Sequence, residues 1–249
     1  MPFRPWTILA FAPLALANTP PTLAHTLAQS MAGASLSLEA SSDERRRSIS
    51  WSNGNPVLSA ELAATVADAV TVRAGATSLW GRNRHGDADA VVDLGATYEH
   101  RLGGWTLSIQ GDYHLFPGAS GQGYGEIGAN AAFLLGPASL DLFARYAPDQ
   151  DNIGGDNLYI GTSAAIAIPA TPFTLSGHVG RSSGGTDDPA RAARLRPDGR
   201  YWDHGVALDW YRGRWNAGLR YANSSIDDDG SPARRNTGAR LIAHIGLSL

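Results

Sequence analysis

The sequence lacks cysteine altogether and is poor in charged residues. Without cysteine, the 249-residue chain can form no disulfide bond and no cysteine-ligated metal centre. All 20 basic residues are arginine, and charged residues make up 17% of the chain, against about 25% in ordinary soluble domains. A net charge of -3 gives no basic surface of the kind that nucleic-acid binding requires, so we expect no nucleic-acid partner.

Long apolar runs are also missing from most of the chain. No stretch after the N-terminus reaches the roughly 18 apolar residues of a membrane-spanning helix, which excludes a helical membrane protein. At the N-terminus, Arg4 precedes the short apolar run 7–17 and alanine-containing cleavage sites follow, which is typical of an export signal. We predict a signal peptide over 1–28, cleaved after Ala17, Ala24 or Ala28, and a mature domain over 29–249.

From about residue 33 onward, apolar residues alternate with small or polar ones, which is typical of β-strands. The clearest case is 105–115, where Leu107 and Ile109 fall on one face and Ser108 and Gln110 on the other. Most such segments are long enough to cross a bilayer as tilted strands, which takes about nine to eleven residues. The predicted strands are 33–41, 57–66, 70–80, 89–100, 105–115, 123–135, 138–146, 156–168, 172–181, 201–211, 214–224 and 238–249.

The connections between these strands alternate in length. Short links such as 136–137 and 212–213 alternate with long polar or glycine-rich links such as 42–56, 182–200 and 225–237. Short turns at one end and longer outer loops at the other are typical of bacterial outer-membrane barrels. We therefore predict an all-β fold, a transmembrane antiparallel up-and-down β-barrel of about 12 strands, with both termini periplasmic. A secreted β-sandwich or jelly roll is the alternative fold.

Aromatic residues are concentrated near the ends of the predicted strands. In membrane barrels such residues form girdles at the two interfaces, and we predict two girdles here. The girdle at the short-link end comprises Tyr98, Trp105, Phe133, Phe173, Trp210 and Trp215. The girdle at the long-link end comprises Trp51, Trp80, Phe116, Tyr146, Tyr159, Tyr201 and Trp202.

Several short motifs resemble a known family over nearly the whole mature chain. They are Arg47-Ser48-Ile49-Ser50 with Asn55-Pro56, Tyr113 to Gly118 (YHLFPG), Tyr124-Gly125-Glu126, and Ala144 to Asp149 (ARYAPD). In order and spacing they are similar to motifs of the TorF family of porins. The resemblance implies an outer-membrane barrel with pore activity as its expected function, and it brings no substrate and no catalytic residue. The chain departs from the usual aromatic last residue of such barrels, because it ends in Leu249.

The polar faces of the strands should line the interior of the barrel. Facing charges in a narrow barrel either bias the passage of ions or pair across the lumen and help to close it, and both roles stay open at this point. We predict no catalytic, cofactor-binding or metal-binding residue. The pore-lining candidates are Arg73, Asp93, Gln110, Asp112, His114, Glu126, Asp141, Arg145, His178, Asp209, Arg220 and Arg240.

The sequence predicts a porin-like channel for passive diffusion of ions or small solutes across the outer membrane of a Gram-negative bacterium, without a cofactor. The expected partners are outer-membrane lipid and lipopolysaccharide, the barrel-assembly machinery during insertion, and the solutes themselves. A structural or adhesive barrel without transport is one alternative. A barrel lipid hydrolase is another, in which a serine activated by a histidine would attack the lipid. Its candidate residues are Ser108, Ser176, His114, His178 and His204.

Overall fold

The structure is a computed structural model that describes residues 33–80, 83–231 and 234–249. The predicted signal peptide over 1–28 lies outside the described residues. Within the described part of the chain, no helix has both the length and the apolar character that a membrane span requires.

In the described residues, twelve long strands form one closed antiparallel barrel, in which each pairs with its neighbours along the chain and the first pairs with the last. Two further strands, β2 and β3, form a separate small hairpin. The strands are β1 (Ala34–Ser41), β2 (Arg45–Arg46), β3 (Ile49–Ser50), β4 (Val57–Ala67), β5 (Val70–Ser78), β6 (Ala90–Leu102), β7 (Trp105–Leu115), β8 (Tyr124–Leu135), β9 (Ala138–Gln150), β10 (Gly155–Ala167), β11 (Phe173–Ser183), β12 (Tyr201–Arg212), β13 (Trp215–Ser224) and β14 (Arg240–Ser248). A 3-10 turn (Asp151–Ile153) and the one-turn helix α1 (Pro189–Ala192) lie in the connections.

The barrel confirms the predicted fold class and the predicted number of strands. One closed sheet forms the whole barrel, so the alternative of a secreted sandwich or jelly roll is wrong. Most strand bounds differ from the predicted ones by at most two residues, and two local differences are larger. Strand β9 runs to Gln150 instead of ending at 146, and its pairing with β10 shifts register between Gly155 and Asn157. The link 42–56 contains the hairpin β2–β3, which the alternation did not predict.

Side chains on the two faces of the barrel differ in chemistry. On β7, Leu107 and Ile109 are 39% and 62% exposed on the outside, whereas Asp112 and His114 are 8% and 6% exposed on the inside. An apolar outer face suits contact with lipid hydrocarbon, and a closed hydrogen-bonded sheet satisfies its backbone there. The alternation read from the sequence therefore assigns the faces correctly on this strand.

The aromatic girdle predicted at the long-loop end is only partly correct. Trp80, Tyr146 and Trp202 are exposed there. Four other members of the predicted girdle are buried inside the barrel, at 4% exposure or less: Trp51, Phe116, Tyr159 and Tyr201. Their position has a physical reason, because the link 42–56 folds into the mouth of the barrel and gives inward-facing rings a surface to pack against. At the short-turn end, four members are exposed as expected: Tyr98, Trp105, Phe173 and Trp215.

Candidate functional site: a loop inserted into the lumen

Residues 42–56, which connect β1 to β4, fold into the barrel and are called the inserted loop below. The sequence predicted an outer loop here. The tip of its hairpin is Arg47-Ser48, with φ of 53° and 57°. Two successive residues in the left-handed region are typical of a type I′ turn, which usually takes Asn-Gly because larger side chains are disfavoured there. The tip therefore depends on its contacts with the barrel wall.

Arg47 at the tip contacts three different strands. Its Nη2 donates to Glu126 Oε2 of β8 at 2.5 Å, and its guanidinium lies 4.8 Å from the ring centre of Tyr159 on β10. Its backbone carbonyl accepts a hydrogen bond of 3.2 Å from the Tyr201 hydroxyl of β12. Contacts with β8, β10 and β12 place the tip across the lumen rather than against one side of it.

Arg46 attaches the inserted loop to a different part of the wall. Its Nη1 and Nη2 donate to the two oxygens of Asp93 on β6 at 2.9 and 2.6 Å, and its Nε donates to Glu44 at 3.0 Å. Its guanidinium also lies 4.2 Å from the ring centre of Trp51. Burial disfavours the charged form of Arg46, but the carboxylates of Asp93 and Glu44 more than offset this effect and raise the pKa of Arg46. Bidentate arginine–carboxylate pairs are among the strongest polar contacts in proteins.

Arg45 makes the third attachment, to another loop. Its Nε donates to Asp43 Oδ2 at 2.7 Å, and its Nη1 donates to the carbonyl oxygens of Ser48 and Gly238 at 3.0 and 2.7 Å. Gly238 belongs to the connection between β13 and β14. Three consecutive arginines thus reach three separate parts of the barrel.

His114 on β7 joins the two wall carboxylates that the inserted loop contacts. Its Nδ1 lies 2.6 Å from Asp93 Oδ1 and its Nε2 lies 3.2 Å from Glu126 Oε1. Arg46, Asp93, His114, Glu126 and Arg47 therefore form a continuous chain of polar contacts, which the peptide bond between Arg46 and Arg47 closes into a ring. We call these five side chains the charged ring. The two arginines of the charged ring belong to the inserted loop, and its other three side chains belong to the barrel wall.

At the long-loop end of the barrel, an apolar cluster that includes Trp51 packs around the inserted loop. Its buried members are Trp51, Leu79, Ala88, Val91, Phe116, Tyr124, Ala147, Ile153 and Leu195. The His85 ring lies between Trp51 and Phe116, with ring centres 4.2 and 4.6 Å apart, and Arg194 Nη2 lies 3.1 Å from His85 Nδ1. Burial, together with the charge of Arg194, lowers the pKa of His85 well below its usual value. The cluster therefore packs around a neutral imidazole.

Below the charged ring, arginine side chains lie flat against glycines of the wall. Arg73 of β5 pairs with Asp112 of β7 across Gly95 of β6, where an added Cβ would lie 2.6 Å from Arg73 Nε. Gln110 donates to the other oxygen of Asp112 at 2.6 Å. Glycine at this position gives the guanidinium the room that it needs to reach its partner two strands away.

Arg145 lies in the same way over Gly128 of β8, where an added Cβ would lie 2.6 Å from Arg145 Cδ. Its Nη1 donates to the carbonyl oxygens of Ala129 and Ala144 at 3.2 and 2.9 Å. The guanidinium is thus held against the wall by backbone carbonyl groups.

The other half of the wall carries further polar groups. His178 Nε2 and the Tyr159 hydroxyl both contact Asp203 Oδ1, at 3.2 and 3.1 Å. His244 Nε2 lies 3.2 Å from Asp209 Oδ1. Asp141 is 1% exposed and, among the described residues, no hydrogen bond of ordinary geometry reaches its carboxylate oxygens.

The twelve pore-lining candidates thus fall into four groups. Asp93, His114 and Glu126 meet in the charged ring, and Arg73, Gln110 and Asp112 meet beside it. Five more face inwards elsewhere on the wall: Asp141, Arg145, His178, Asp209 and Arg220. Arg240 is exposed, at the long-loop end of β14.

The residues that organise this site from the inserted loop, Arg46 and Arg47, were not among the candidates. Two signals in the sequence could have found them. Three consecutive arginines at 45–47 are unusual in a chain with 20 basic residues, and they precede the alternating segment Ser48-Ile49-Ser50-Trp51. A short alternating segment inside a long link indicates a hairpin, and a hairpin within a barrel loop can fold inwards.

The serine and histidine candidates for lipid hydrolysis are not arranged as a catalytic pair. Ser176 and His178 share the inner face of β11, away from lipid, and the His178 ring faces Asp203. Residues 180–184 match the G-x-S-x-G pattern, but Ser182 lies within β11, is fully buried and donates to Asn157 Oδ1 at 2.8 Å. The strand-to-helix turn that such a nucleophile requires is not formed at this position. No group of three His, Asp or Glu in the described ranges could hold a metal ion.

Many solved structures share the fold of the chain, among them two porins and an outer membrane channel. One described as "KdgM porin" aligns with 86% of this chain and 99% of its own, at a TM-score of 0.57 and 8% identity. The NanC porin aligns with 86% of this chain and 98% of its own, at 0.58 and 14%. The COG4313 outer membrane channel from Pseudomonas putida F1 aligns with 87% and 96%, at 0.56 and 12%. At these identities the likeness shows a common fold, that of an outer-membrane porin barrel.

The match to a family extends over almost the whole barrel. None of the curated proteins compared with the chain matches it. A family model matches residues 26–246, a range that includes the inserted loop and eleven complete barrel strands from β1 to β13. The chain therefore belongs to the family described as "Bacterial protein of unknown function (Gcw_chp)".

Proposed function

We propose that the protein is a porin-like channel of the Gram-negative outer membrane that passes ions or small solutes by diffusion. One observation carries this proposal: a single closed sheet has an apolar outer face and an inner face with charges of both signs. A barrel that served only as an anchor could fill its interior with apolar side chains. Charged side chains on the inner face instead suit a hydrated path for polar solutes.

The inserted loop would make this path narrow. Its tip crosses the lumen and contacts β8, β10 and β12, while Arg46 attaches it to β6. Solutes that enter from the long-loop end must pass the charged ring. We therefore expect a smaller conductance than that of an unobstructed barrel of twelve strands.

Several expectations from the sequence belong to the same proposal. They are the cleaved export signal, the periplasmic termini, contact of the outer loops with lipopolysaccharide and insertion by the barrel-assembly machinery. Affiliation with the TorF porins is supported by the short motifs described above. Both termini of an even-stranded barrel lie on one side of the membrane, which supports the periplasmic placement.

The proposal is tested by single-channel recording of the purified protein in planar bilayers. The matched variant replaces residues 44–53 of the inserted loop by a short glycine–serine linker. We expect discrete current steps from the natural protein and larger steps from the variant. Heat-modifiable mobility in gels, measured on both proteins, reports whether each has folded into a closed barrel. Two folded barrels that both give no current would overturn the channel proposal.

A structural barrel without transport is the second candidate function. The observation that favours it is the inserted loop itself, because ion pairs and an apolar cluster hold it in the mouth of the barrel. The same recordings separate the two candidates. Current from the linker variant combined with silence of the natural protein would indicate a barrel that is closed at rest.

A further inference from the structure

Both ring nitrogens of His114 face carboxylate oxygens. Nδ1 lies 2.6 Å from Asp93 Oδ1, and Nε2 lies 3.2 Å from Glu126 Oε1. A carboxylate can only accept a hydrogen bond, and a neutral imidazole carries one N–H. Both contacts are therefore hydrogen bonds only when the imidazole carries two protons. In the neutral form, one nitrogen lone pair would point at a carboxylate oxygen.

The surroundings of His114 come from four elements. Asp93 lies on β6, while Glu126 and the Tyr124 ring, whose centre is 4.6 Å from that of His114, lie on β8. From the inserted loop, Arg46 Nη1 lies 3.4 Å from Nδ1, and the Trp51 ring centre lies 6.2 Å away. His85, in the loop between β5 and β6, is the other histidine of this region, and its ring packs against Trp51 at a tilt. Arg47 acts on His114 through their shared partner Glu126.

The two carboxylates that His114 joins are the same two that hold the inserted loop. Arg46 pairs with Asp93 and Arg47 pairs with Glu126, and these arginines are adjacent in the chain. A change at His114 therefore acts on both attachments at once. Charge-assisted hydrogen bonds contribute more than neutral ones, so a protonated His114 fixes the direction of both carboxylates towards the loop.

We propose that His114 is the positioning residue of the inserted loop, and that loss of one imidazole proton releases the loop and raises the conductance of the channel. The inference rests on the proposed channel function. A protonated His114 keeps the charged ring closed at low pH. As the pH rises, the imidazole of His114 loses one proton, and one of its two hydrogen bonds becomes a contact between a nitrogen lone pair and a carboxylate oxygen. Asp93 and Glu126 then no longer share a donor. The tip of the inserted loop leaves the lumen.

The first test measures single-channel conductance from about pH 6.5, the ordinary pKa of a histidine side chain, to about pH 9. Because the pKa of His85 lies well below its usual value, His85 stays neutral over this range. We expect the open fraction to rise on the order of tenfold with pH, as loss of one charge-assisted hydrogen bond implies. His114→Gln should be open at all pH values, and His114→Lys, which keeps a cation, should stay restricted.

The second test measures how accessible the tip of the inserted loop is to a chemical label, without recording current. The natural chain has no cysteine, so Ser48→Cys at the tip is a unique label site, and Ser48 is 2% exposed. Its rate of reaction with a thiol reagent should rise with pH more steeply than that of Ser120→Cys, which is exposed in the loop between β7 and β8. The exposed site corrects for the intrinsic reactivity of the thiolate. In the His114→Lys background the excess rise should vanish.

A second inward-facing histidine, His244, provides a matched control for His114. His244 also faces inwards beside a carboxylate, that of Asp209, so His244→Gln should leave both pH profiles unchanged. Tip labelling that does not depend on pH, or a profile that His114→Lys leaves intact, would overturn the inference. Tip labelling that follows His114 while no variant gives current would refute the channel function and retain the role of His114.

Discussion

Asp112 on β7 and Glu126 on β8 are directly opposed partners in the sheet, and both side chains are buried inside the barrel. Two carboxylates in this position repel each other. Each is compensated by an arginine from a different element, Asp112 by Arg73 of β5 and Glu126 by Arg47 of the inserted loop. The inserted loop therefore supplies one of the two opposite charges on which this part of the wall depends.

Arg47→Ala should destabilise the barrel, because it leaves the buried Glu126 carboxylate opposite Asp112 without its arginine. We expect a loss of about 3–5 kcal/mol in the free energy of unfolding, the usual cost of removing one partner from a buried ion pair. Urea unfolding in detergent measures the change. The double variant Arg47→Ala, Glu126→Gln removes the charge as well and should recover at least about 1 kcal/mol of it. Strictly additive losses would mean that the two side chains do not interact.

Gly161 on β10 should not tolerate alanine. An added Cβ would lie 2.5 Å from Phe143 Cζ and 2.7 Å from the Val179 carbonyl oxygen, and the backbone atom cannot move aside cheaply. We expect Gly161→Ala to cost about 1–3 kcal/mol, as overpacking usually does. Gly111, on the outer face of β7, has no atom of the described residues within 4 Å of an added Cβ. Gly111→Ala should change the stability by less than about 0.5 kcal/mol, and equal costs at both positions would contradict the packing described.

The barrel could be predicted from the sequence because its main signal is local. Alternation has a fixed period of two, so each segment indicates both a strand and its faces without knowledge of the partner strand. Strand β7 occupies 105–115, the range predicted from the pattern alone. Alternating link lengths then determine which strand ends lie together, which leaves a closed meander as the simplest arrangement.

The inserted loop could not be predicted because its position depends on contacts between residues that are distant in the chain. Arg47 and Glu126 are 79 positions apart, and Arg46 and Asp93 are 47 apart. A polar segment with three arginines looks like any solvated loop until the carboxylates facing it are known. For the same reason the sequence wrongly predicts Trp51 and Tyr201 as interface residues, since an aromatic ring at a strand end can face either lipid or an inserted segment.

His85 should make the barrel less stable in acid. Burial lowers its folded-state pKa, so the unfolded chain binds a proton below about pH 6.5 while the folded protein does not. The free energy of unfolding therefore keeps its full value, as far as His85 is concerned, above that pH. Below it, the free energy of unfolding falls by up to about 1.4 kcal/mol per pH unit. His85→Phe keeps an aromatic ring between Trp51 and Phe116 and should flatten this part of the pH profile of unfolding. His100→Phe, at an exposed position near the short turns, is the control and should not. An unchanged slope in His85→Phe would exclude His85 as its cause.

Ile109 and Gln110 are adjacent on β7 and should respond oppositely to a new charge. Ile109 is 62% exposed on the outer face, whereas Gln110 faces inwards and donates to Asp112. Arginine at 109 would place a charge in the lipid near the middle of the strand, at a cost of about 2–4 kcal/mol in the free energy of folding. Arginine at 110 would add a cation beside Asp112 in the lumen and should leave the fold intact.

The two variants are compared by folding yield into lipid vesicles and by the reversal potential in a salt gradient. Ile109→Arg should lower the yield, and Gln110→Arg should fold normally and shift the ion preference towards anions. A single-residue slip of register would exchange the two faces. Equal folding defects at 109 and 110 would therefore show that the assignment of faces on β7 is wrong. A folded Gln110→Arg protein with an unchanged reversal potential would show instead that solutes do not pass this part of the wall.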